Sequence, residues 1–176
     1  IDGQNILDVS QESLRSQIGL VTQDTSLLHR SVRDNIIYGR PTATDEEMIN
    51  AAKRAEAADF IPYLSDAQGR KGYDAHVGER GVKLSGGQRQ ALSLLMATLK
   101  RPELLLLDEH TAALDPKTSV ALMELTDEFV TGDHLTALMI THHMEDALKY
   151  GNRLIVMKDG QIIKDLTKEE KGQLDI

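Results

Sequence analysis

LSGGQRQALSLLMATLKRPELLLLDEH, the stretch from Leu84 to His110, opens with a predicted helix start and closes with an apolar run that stops at acidic residues. Ser85 and Gln88 have the S-x-x-Q spacing of a capping box, so we predict a helix with Ser85 as its N-cap. Gly86 and Gly87 then fall in the first turn, where a pair of glycines costs about 2 kcal/mol of helix propensity relative to alanine. Bare backbone at the positive end of a helix dipole suits the close approach of a phosphate.

The apolar run from Leu104 to Leu107 is followed directly by Asp108 and Glu109. Such a run is typical of a central parallel strand that is buried on both faces. Functional sites of open α/β sheets lie at the carboxyl ends of their strands, where these two acids would be placed. The same acids would also mark a point where buried chain simply meets solvent, and the run alone does not separate these alternatives.

Strands and helices alternate on both sides of this stretch, which favours an α/β fold with a mainly parallel core sheet. Asp115 followed by Pro116 is a strong helix start, because an N-cap residue precedes the residue favoured at the first helical position. A polar, glycine-rich loop is predicted at 65–83. The other predicted elements are a strand at 18–21, a helix at 44–58 capped by Thr44, a strand at 135–141 followed by His142 and a short helix, and a hairpin at 154–163.

Composition excludes several classes of protein. The 176 residues are 40% hydrophobic and 27% charged, as expected of one globular domain or a large part of one. A net charge of -8 argues against nucleic-acid binding, since phosphate contacts need clustered Lys and Arg. The absence of cysteine excludes disulfides and thiolate metal sites, and no apolar run approaches the roughly 18 residues of a membrane-spanning helix. His110, His142 and His143 lack the spacing of a zinc site, so we do not expect them to bind metal.

The order of the motifs along the chain is the most specific signal. Gln23 after a short strand is followed by LSGGQ at 84–88, LLLLDE at 104–109, AALD at 112–115, and Thr141 and His142 after another strand. This order and spacing resemble the nucleotide-binding domain of ABC-type ATPases over essentially the whole chain. The resemblance implies a P-loop NTPase-like α/β domain with a mainly parallel core sheet, and ATP and Mg²⁺ as cofactors. It also implies a helical subdomain at about 24–100 and a core region at about 101–176.

The resemblance assigns chemistry to the residues at the strand ends. Asp108 would hold Mg²⁺ through water, because Mg²⁺ prefers carboxylate oxygens and keeps much of its hydration shell. Glu109 would orient or deprotonate the attacking water, and His142 would contact the γ-phosphate of ATP. Gln23 would reach both the metal ion and the water.

Other matching residues are assigned to a dimer interface by the same resemblance. Asp115 has two candidate roles, as a helix N-cap and as a contact across a head-to-tail dimer of ABC ATPase domains. Ala112 stands where the family usually has serine, which removes one hydroxyl from that interface. The residues of LSGGQ would meet a γ-phosphate held by the second domain, and these are Ser85, Gly86, Gly87 and Gln88.

A P-loop has the pattern G-x-x-x-x-G-K-[ST], and the chain contains no Gly-Lys dipeptide. In the family this motif lies upstream of the position of Ile1, together with the aromatic residue that stacks on adenine. We therefore expect a domain that lacks its N-terminal strands. Its own ATP binding should be weak or absent, so another subunit would have to deliver the phosphate.

The two parts of the sequence resemble different branches of the family. Residues 1–90 resemble exporter-type domains, in which the VGERG segment at 77–81 touches the transmembrane partner, whereas residues 91–176 resemble importer-type subunits. A hybrid origin, engineered or recombinant, is the resulting hypothesis. The expected function is that of an ATP-binding subunit of an ABC transporter, held at the cytoplasmic face of the membrane by its transmembrane domains. Two alternatives stay open, namely a non-transport ABC ATPase of the DNA-repair or translation type, and a scaffold fragment without enzymatic activity.

Overall fold

The computed structural model describes residues 1–78 and 81–174, and the chain divides into two compact units, Ile1–Met139 and Ile140–Ile176. The first unit contains α1 (Gln11–Ser16), β1 (Ile18–Thr22), α2 (Val32–Ile36), α3 (Asp45–Arg54), α4 (Gly86–Leu99), β2 (Leu104–Asp108), α5 (Pro116–Gly132) and most of β3 (Thr136–Ile140). The second unit contains α6 (Met144–Lys149), β4 (Arg153–Lys158), β5 (Gln161–Thr167) and α7 (Lys168–Lys171). Short 3₁₀ turns occur at Ile6–Asp8, Ala57–Asp59, Ile61–Tyr63 and Gly72–Asp74.

The main sheet has the strand order β1-β2-β3. β1 and β2 run parallel, in a register that begins with Ile18 beside Leu104 and ends with Thr22 beside Asp108. The connection between these two parallel strands passes through α2, α3 and α4, as a parallel pair requires a long crossover. The predicted α/β fold with a mainly parallel core is confirmed.

One face of the β1–β2 pair is packed against helices. Gly19 and Val21 of β1 are buried, as are Leu105 and Leu107 of β2. A Cβ atom at Gly19 would lie only 3.1 Å from the carbonyl oxygen of Ala97 in α4. Helix α4 therefore lies close to the backbone of β1, and this contact leaves little room for a side chain at position 19.

The opposite face of the same strands is apolar but poorly covered. Ile18, Leu104 and Leu106 are half-buried, and Leu20 is 57% exposed. The prediction that β2 is buried on both faces is therefore wrong for the part of the chain described. An apolar run shows that a strand tolerates burial on both sides, but the elements that cover a face come from distant parts of the sequence.

Local capping signals begin the longer helices as predicted. Thr44 and Glu47 form a complete capping box at the start of α3, and Ser85 and Gln88 form another at the start of α4. Asp115 caps α5, with Pro116 in its first turn. Helix α3 ends at Arg54, earlier than predicted, because the chain then takes a left-handed conformation at Glu56 (φ 53°) and continues as a 3₁₀ turn.

The predicted loop at 65–83 is organised by a buried carboxylate. The side chain of Asp66 is fully buried and accepts hydrogen bonds from the backbone N–H groups of Gln68 (2.9 Å), Arg70 (3.1 Å) and His76 (3.0 Å). The guanidinium of Arg70 also donates to it, at 2.6 Å. Burial alone would raise the pKa of Asp66, but the hydrogen bonds from His76 and Arg70 outweigh this effect and hold the pKa well below its usual range.

The second unit is built around an antiparallel hairpin of β4 and β5. The connecting residues Asp159 and Gly160 both have positive φ angles, 50° and 76°, as a type I′ turn requires. The ammonium of Lys171 is buried and donates to the carbonyl oxygens of Tyr150 and Gly151. The predicted hairpin is confirmed, with strands longer than expected. Among the described residues, none of the helices has the length and apolar character needed to cross a lipid bilayer.

Candidate functional site

The register of the main sheet brings three predicted site residues to one edge. Thr22, the last residue of β1, pairs with Asp108, the last residue of β2. Gln23 and Glu109 follow directly, so both lie at the carboxyl edge of the β1–β2 pair together with Asp108. Gln23 and Asp108 are exposed and Glu109 is half-buried. An amide and two carboxylates at adjacent strand ends match the position at which open α/β sheets bind ligands.

Glu109 has an unusual backbone conformation. Its φ angle is 46°, in the left-handed region that residues other than glycine rarely adopt, and its carbonyl accepts a hydrogen bond from Ala112 N–H at 3.0 Å. This turn ends β2 abruptly and sends the chain back toward α5. Strained backbone of this kind is concentrated at functional sites.

His110 anchors the strand end to α5. It is 2% exposed, and its Nε2 lies 3.1 Å from the hydroxyl oxygen of Thr126, which itself donates to Leu122 O at 2.7 Å. The Thr126 oxygen must therefore accept the hydrogen bond from His110 Nε2–H. Burial lowers the pKa of His110 to about 4, so the ring is neutral at physiological pH. In the sequence analysis, His110 was considered only as a zinc ligand, and that role was not favoured. No pattern in the neighbouring residues indicated its contact with Thr126.

The start of α4 presents backbone rather than side chains. Ser85 Oγ accepts the N–H of Gln88 at 3.1 Å, and Gln88 Oε1 accepts the N–H of Ser85 at 2.9 Å. The capping box thus uses the amides of Ser85 and Gln88 but not those of Gly86 and Gly87, which belong to the first turn and have no intrahelical acceptor. Ser85 is exposed, and Gly86, Gly87 and Gln88 are half-buried. An accessible helix start with two such N–H groups fits an anion such as a phosphate.

The two glycines also have a packing role that the sequence did not reveal. A Cβ atom at Gly87 would lie 2.5 Å from Thr118 Cγ2 in α5, whereas one at Gly86 would lie 3.2 Å from Leu114 Cδ2. The first of these distances is far below a normal carbon–carbon contact of about 3.5–4.0 Å. The start of α4 is therefore packed closely against the start of α5.

Asp115 lies at the start of α5 and is exposed. Its carboxylate accepts the N–H of Thr118 at 3.1 Å, so the N-cap role is confirmed. Hydrogen bonding from the hydroxyl and N–H of Thr118 lowers the pKa of Asp115. Its second candidate role, a contact across a dimer interface, stays a prediction.

Gln90 connects the α4 helix to the end of β1 and was not among the predicted site residues. It is 3% exposed, and its Nε2 donates to Thr22 O at 3.0 Å and to Gln23 O at 2.8 Å. This contact joins residues far apart in sequence, and a glutamine inside a helix gives no local sign of it.

His142 belongs to the second unit, where it is exposed and its ring centroid lies 4.5 Å from that of His143. The N–H of His143 donates to Thr141 Oγ1 at 3.0 Å. Residues 1–78 and 81–174 contain no group of three or more His, Asp and Glu side chains placed to hold a metal ion by themselves. Asp108 offers carboxylate oxygens, the kind of ligand that Mg²⁺ prefers.

Glu79 and Arg80 of the VGERG segment lie outside the described residues. The subdomain boundaries at about 24–100 and 101–176 stay a prediction, since the compact units divide the chain at a different place, between Met139 and Ile140.

The chain combines a parallel sheet, a capped α4 helix and carboxylates at the strand ends. This combination is that of an ABC ATPase domain with an α/β fold. A model of the family described as ABC transporter matches residues 1–112, and the chain belongs to this family. Among solved structures, a bacterial Atm1-family ABC exporter with ATP bound has a TM-score of 0.80 and 37% sequence identity, over 96% of this chain and 28% of that one.

Curated relatives match nearly the whole chain. An "Uncharacterized ABC transporter ATP-binding protein" of Haemophilus influenzae is 62% identical over 175 residues, and a Staphylococcus aureus protein named "Putative multidrug export ATP-binding/permease protein" is 45% identical over 170 residues. The chain spans 28% of the length of each of these relatives. The first match runs through both sides of residue 90 in one alignment, and the hybrid origin of the chain is not confirmed.

Proposed function

We propose that this chain is part of an exporter-type ATP-binding domain that couples ATP hydrolysis to transport across a membrane. It contains the helix that follows LSGGQ, which is α4, and the residues for hydrolysis. The observation that carries the proposal is the β1–β2 register, which places Gln23, Asp108 and Glu109 at one sheet edge. We propose export as the direction of transport, because one similar solved structure is an ABC exporter and the S. aureus relative is named as a multidrug export protein. The transporter's transmembrane domains would hold the chain at the cytoplasmic membrane surface.

The sheet edge would carry the hydrolytic chemistry. Asp108 would hold Mg²⁺ through water, and the ion would supply neutralisation of charge on the phosphates. Glu109, which is half-buried and directly follows β2, would orient or deprotonate the attacking water. Gln23 would contact both the metal ion and the water. In the second unit, His142 would donate to a γ-phosphate.

The start of α4 would act on a nucleotide that is bound mainly by another domain. These 176 residues contain no P-loop sequence, so the principal grip on the phosphates comes from outside this chain. In a head-to-tail dimer, Ser85 and the N–H groups of Gly86 and Gly87 close over the partner's γ-phosphate. Gln88 stabilises this helix start through the capping box, and Asp115 lies at the same interface.

Mixing the chain with an intact ABC ATPase domain tests this division of roles. The chain alone should hydrolyse ATP no faster than background. With an intact partner whose hydrolysis is blocked, Mg²⁺ and labelled ATP, rapid gel filtration should recover a single occluded nucleotide per mixed dimer. Robust turnover by the isolated chain, or two occluded nucleotides, would contradict the proposal.

Two substitutions at Ser85 separate nucleotide contact from helix stability. Ser85→Asp keeps a good N-cap but places a negative charge beside the phosphate, so occlusion should be lost while the melting temperature stays close to that of the parent chain. Ser85→Thr keeps both cap and hydroxyl and should retain occlusion. Equal occlusion by the two variants would favour the scaffold alternative, in which α4 has no nucleotide role.

A further inference from the structure

Gln90 is the most deeply buried polar residue of α4. It lies one helical turn beyond Gly86, is 3% exposed, and has the buried leucines Leu92, Leu94 and Leu95 near it in sequence. Its two hydrogen bonds go to the carbonyls of Thr22 and Gln23, where the chain leaves β1. Both partners are acceptors, so the atom facing them must be the amide nitrogen.

Among the described residues, only the nitrogen end of the Gln90 amide has a hydrogen-bond partner. Within residues 1–78 and 81–174, the buried Oε1 atom has no hydrogen-bond donor. Burying an unpaired acceptor costs free energy, and an apolar side chain of similar size would avoid that cost. The amide is therefore of use at this position through its donor end, which faces the end of β1.

We propose that Gln90 is a positioning residue that fixes Gln23 relative to the start of α4. This inference rests on the proposed function, in which Gln23 reaches the metal ion and the attacking water. Gln90 holds the backbone carbonyl of Gln23 itself, at 2.8 Å, and it lies on the same helix as Ser85 and Gly86. A buried amide thus ties α4 to the chain segment that carries Gln23, in addition to the packing of α4 on β1.

Gln90→Met in the intact transporter subunit that carries this chain tests the inference, because methionine keeps the length of the side chain and removes both donors. We expect kcat to fall about 10- to 100-fold, since a displacement of about 1 Å at a positioning residue costs about that much. The Mg²⁺ concentration for half-maximal activity should rise, while the KM for ATP changes little, because Gln23 and not the main phosphate grip is displaced. Gln90→Leu also removes the donors, without burying a charge, and serves as a second variant if Gln90→Met does not fold.

Thr98→Val is the matched control. Thr98 is also buried in α4, but its hydroxyl donates only to carbonyls of its own helix, Leu94 O at 2.8 Å and Leu95 O at 3.3 Å. Thr98→Val should leave kcat and the Mg²⁺ dependence unchanged. The proposal is overturned if Gln90→Met keeps wild-type kinetics, or if Thr98→Val shows the same kinetic change.

Hydrogen exchange on the 176-residue chain gives a readout that does not depend on catalysis. The amides that follow β1, at 23–27, should exchange faster in Gln90→Met and at the parental rate in Thr98→Val. Unchanged exchange there in Gln90→Met overturns the positioning role. If the wild-type subunit has no ATPase activity, the proposed function is contradicted. The exchange result then tests the positioning role of Gln90 by itself.

Discussion

Gly87→Ala should destabilise the chain in the absence of any nucleotide. The added Cβ would lie 2.5 Å from Thr118 Cγ2, more than 1 Å inside a normal carbon–carbon contact. Overpacking of this kind costs about 1–3 kcal/mol, and the improved helix propensity of alanine returns at most about 1 kcal/mol. We therefore expect the free energy of unfolding to fall by about 1–2 kcal/mol.

Thr118→Ser provides the compensating change. Serine lacks the Cγ2 methyl, and the next atom of residue 118, its Cβ, would lie 3.9 Å from the new alanine Cβ, which is an ordinary contact. The N–H of residue 118 still donates to Asp115, so the cap of α5 is retained. In the Thr118→Ser background, Gly87→Ala should be neutral or slightly stabilising, which corresponds to a coupling energy of about 2 kcal/mol between the two positions.

Gly86→Ala is the control at the neighbouring position. Its Cβ would lie 3.2 Å from Leu114 Cδ2, the end of a flexible side chain that moves aside at little cost. Urea unfolding followed by far-UV circular dichroism gives the four free energies of the cycle, and amide exchange of α4 assigns the transition to this helix. Gly87→Ala could lower the free energy of unfolding equally with Thr118 and with Ser at position 118, or leave it unchanged in both. Either result would refute the packing explanation for the glycine.

Two further predictions concern the loop at 65–83 and the hairpin. Asp66→Asn should lower the free energy of unfolding near neutral pH, because the buried carboxylate that pairs with the Arg70 guanidinium loses its charge. Since the pKa of Asp66 is depressed in the folded state, its contribution is fully present above the unfolded value of about 3.9 and is lost as pH falls below it. Urea titrations of both proteins should therefore converge in acid, and a constant difference would contradict this account. Gly160→Ala should lower the free energy of unfolding by about 1 kcal/mol, because φ is 76° and no neighbouring atom restricts the added Cβ. Gly160→Asn should be tolerated, since asparagine adopts this conformation more readily. Equal melting temperatures for the two variants would exclude backbone strain as the cause.

Features set by a few neighbouring residues were predictable from sequence. The Thr44 cap, the Ser85 capping box, the Asp115 cap and the Asp159–Gly160 turn each depend on contacts within about four residues, and each was found. Helix α1 was missed because its six residues include none that is buried, so there was no apolar periodicity to find.

Features set by distant residues were not predictable. Whether one or both faces of β2 are covered depends on elements elsewhere in the chain, and the apolar run alone indicated two covered faces. The contacts of Gln90 with Thr22 and of His110 with Thr126 join separate elements through ordinary side chains. The order of the motifs predicted that Gln23, Asp108 and Glu109 belong to the site. Only the strand register showed that all three lie at the same edge of the sheet.

The register of β1 and β2 is enforced by packing and not by the site. A slip of one residue would turn Leu105 and Leu107 away from the covered face and bring their half-exposed neighbours under the helices. The positions after the last buried leucine are therefore held at the sheet edge whatever side chains they carry. The register therefore places no demand on the side chains at 108 and 109, and substitutions of these two acids should leave the pairing of β1 with β2 intact.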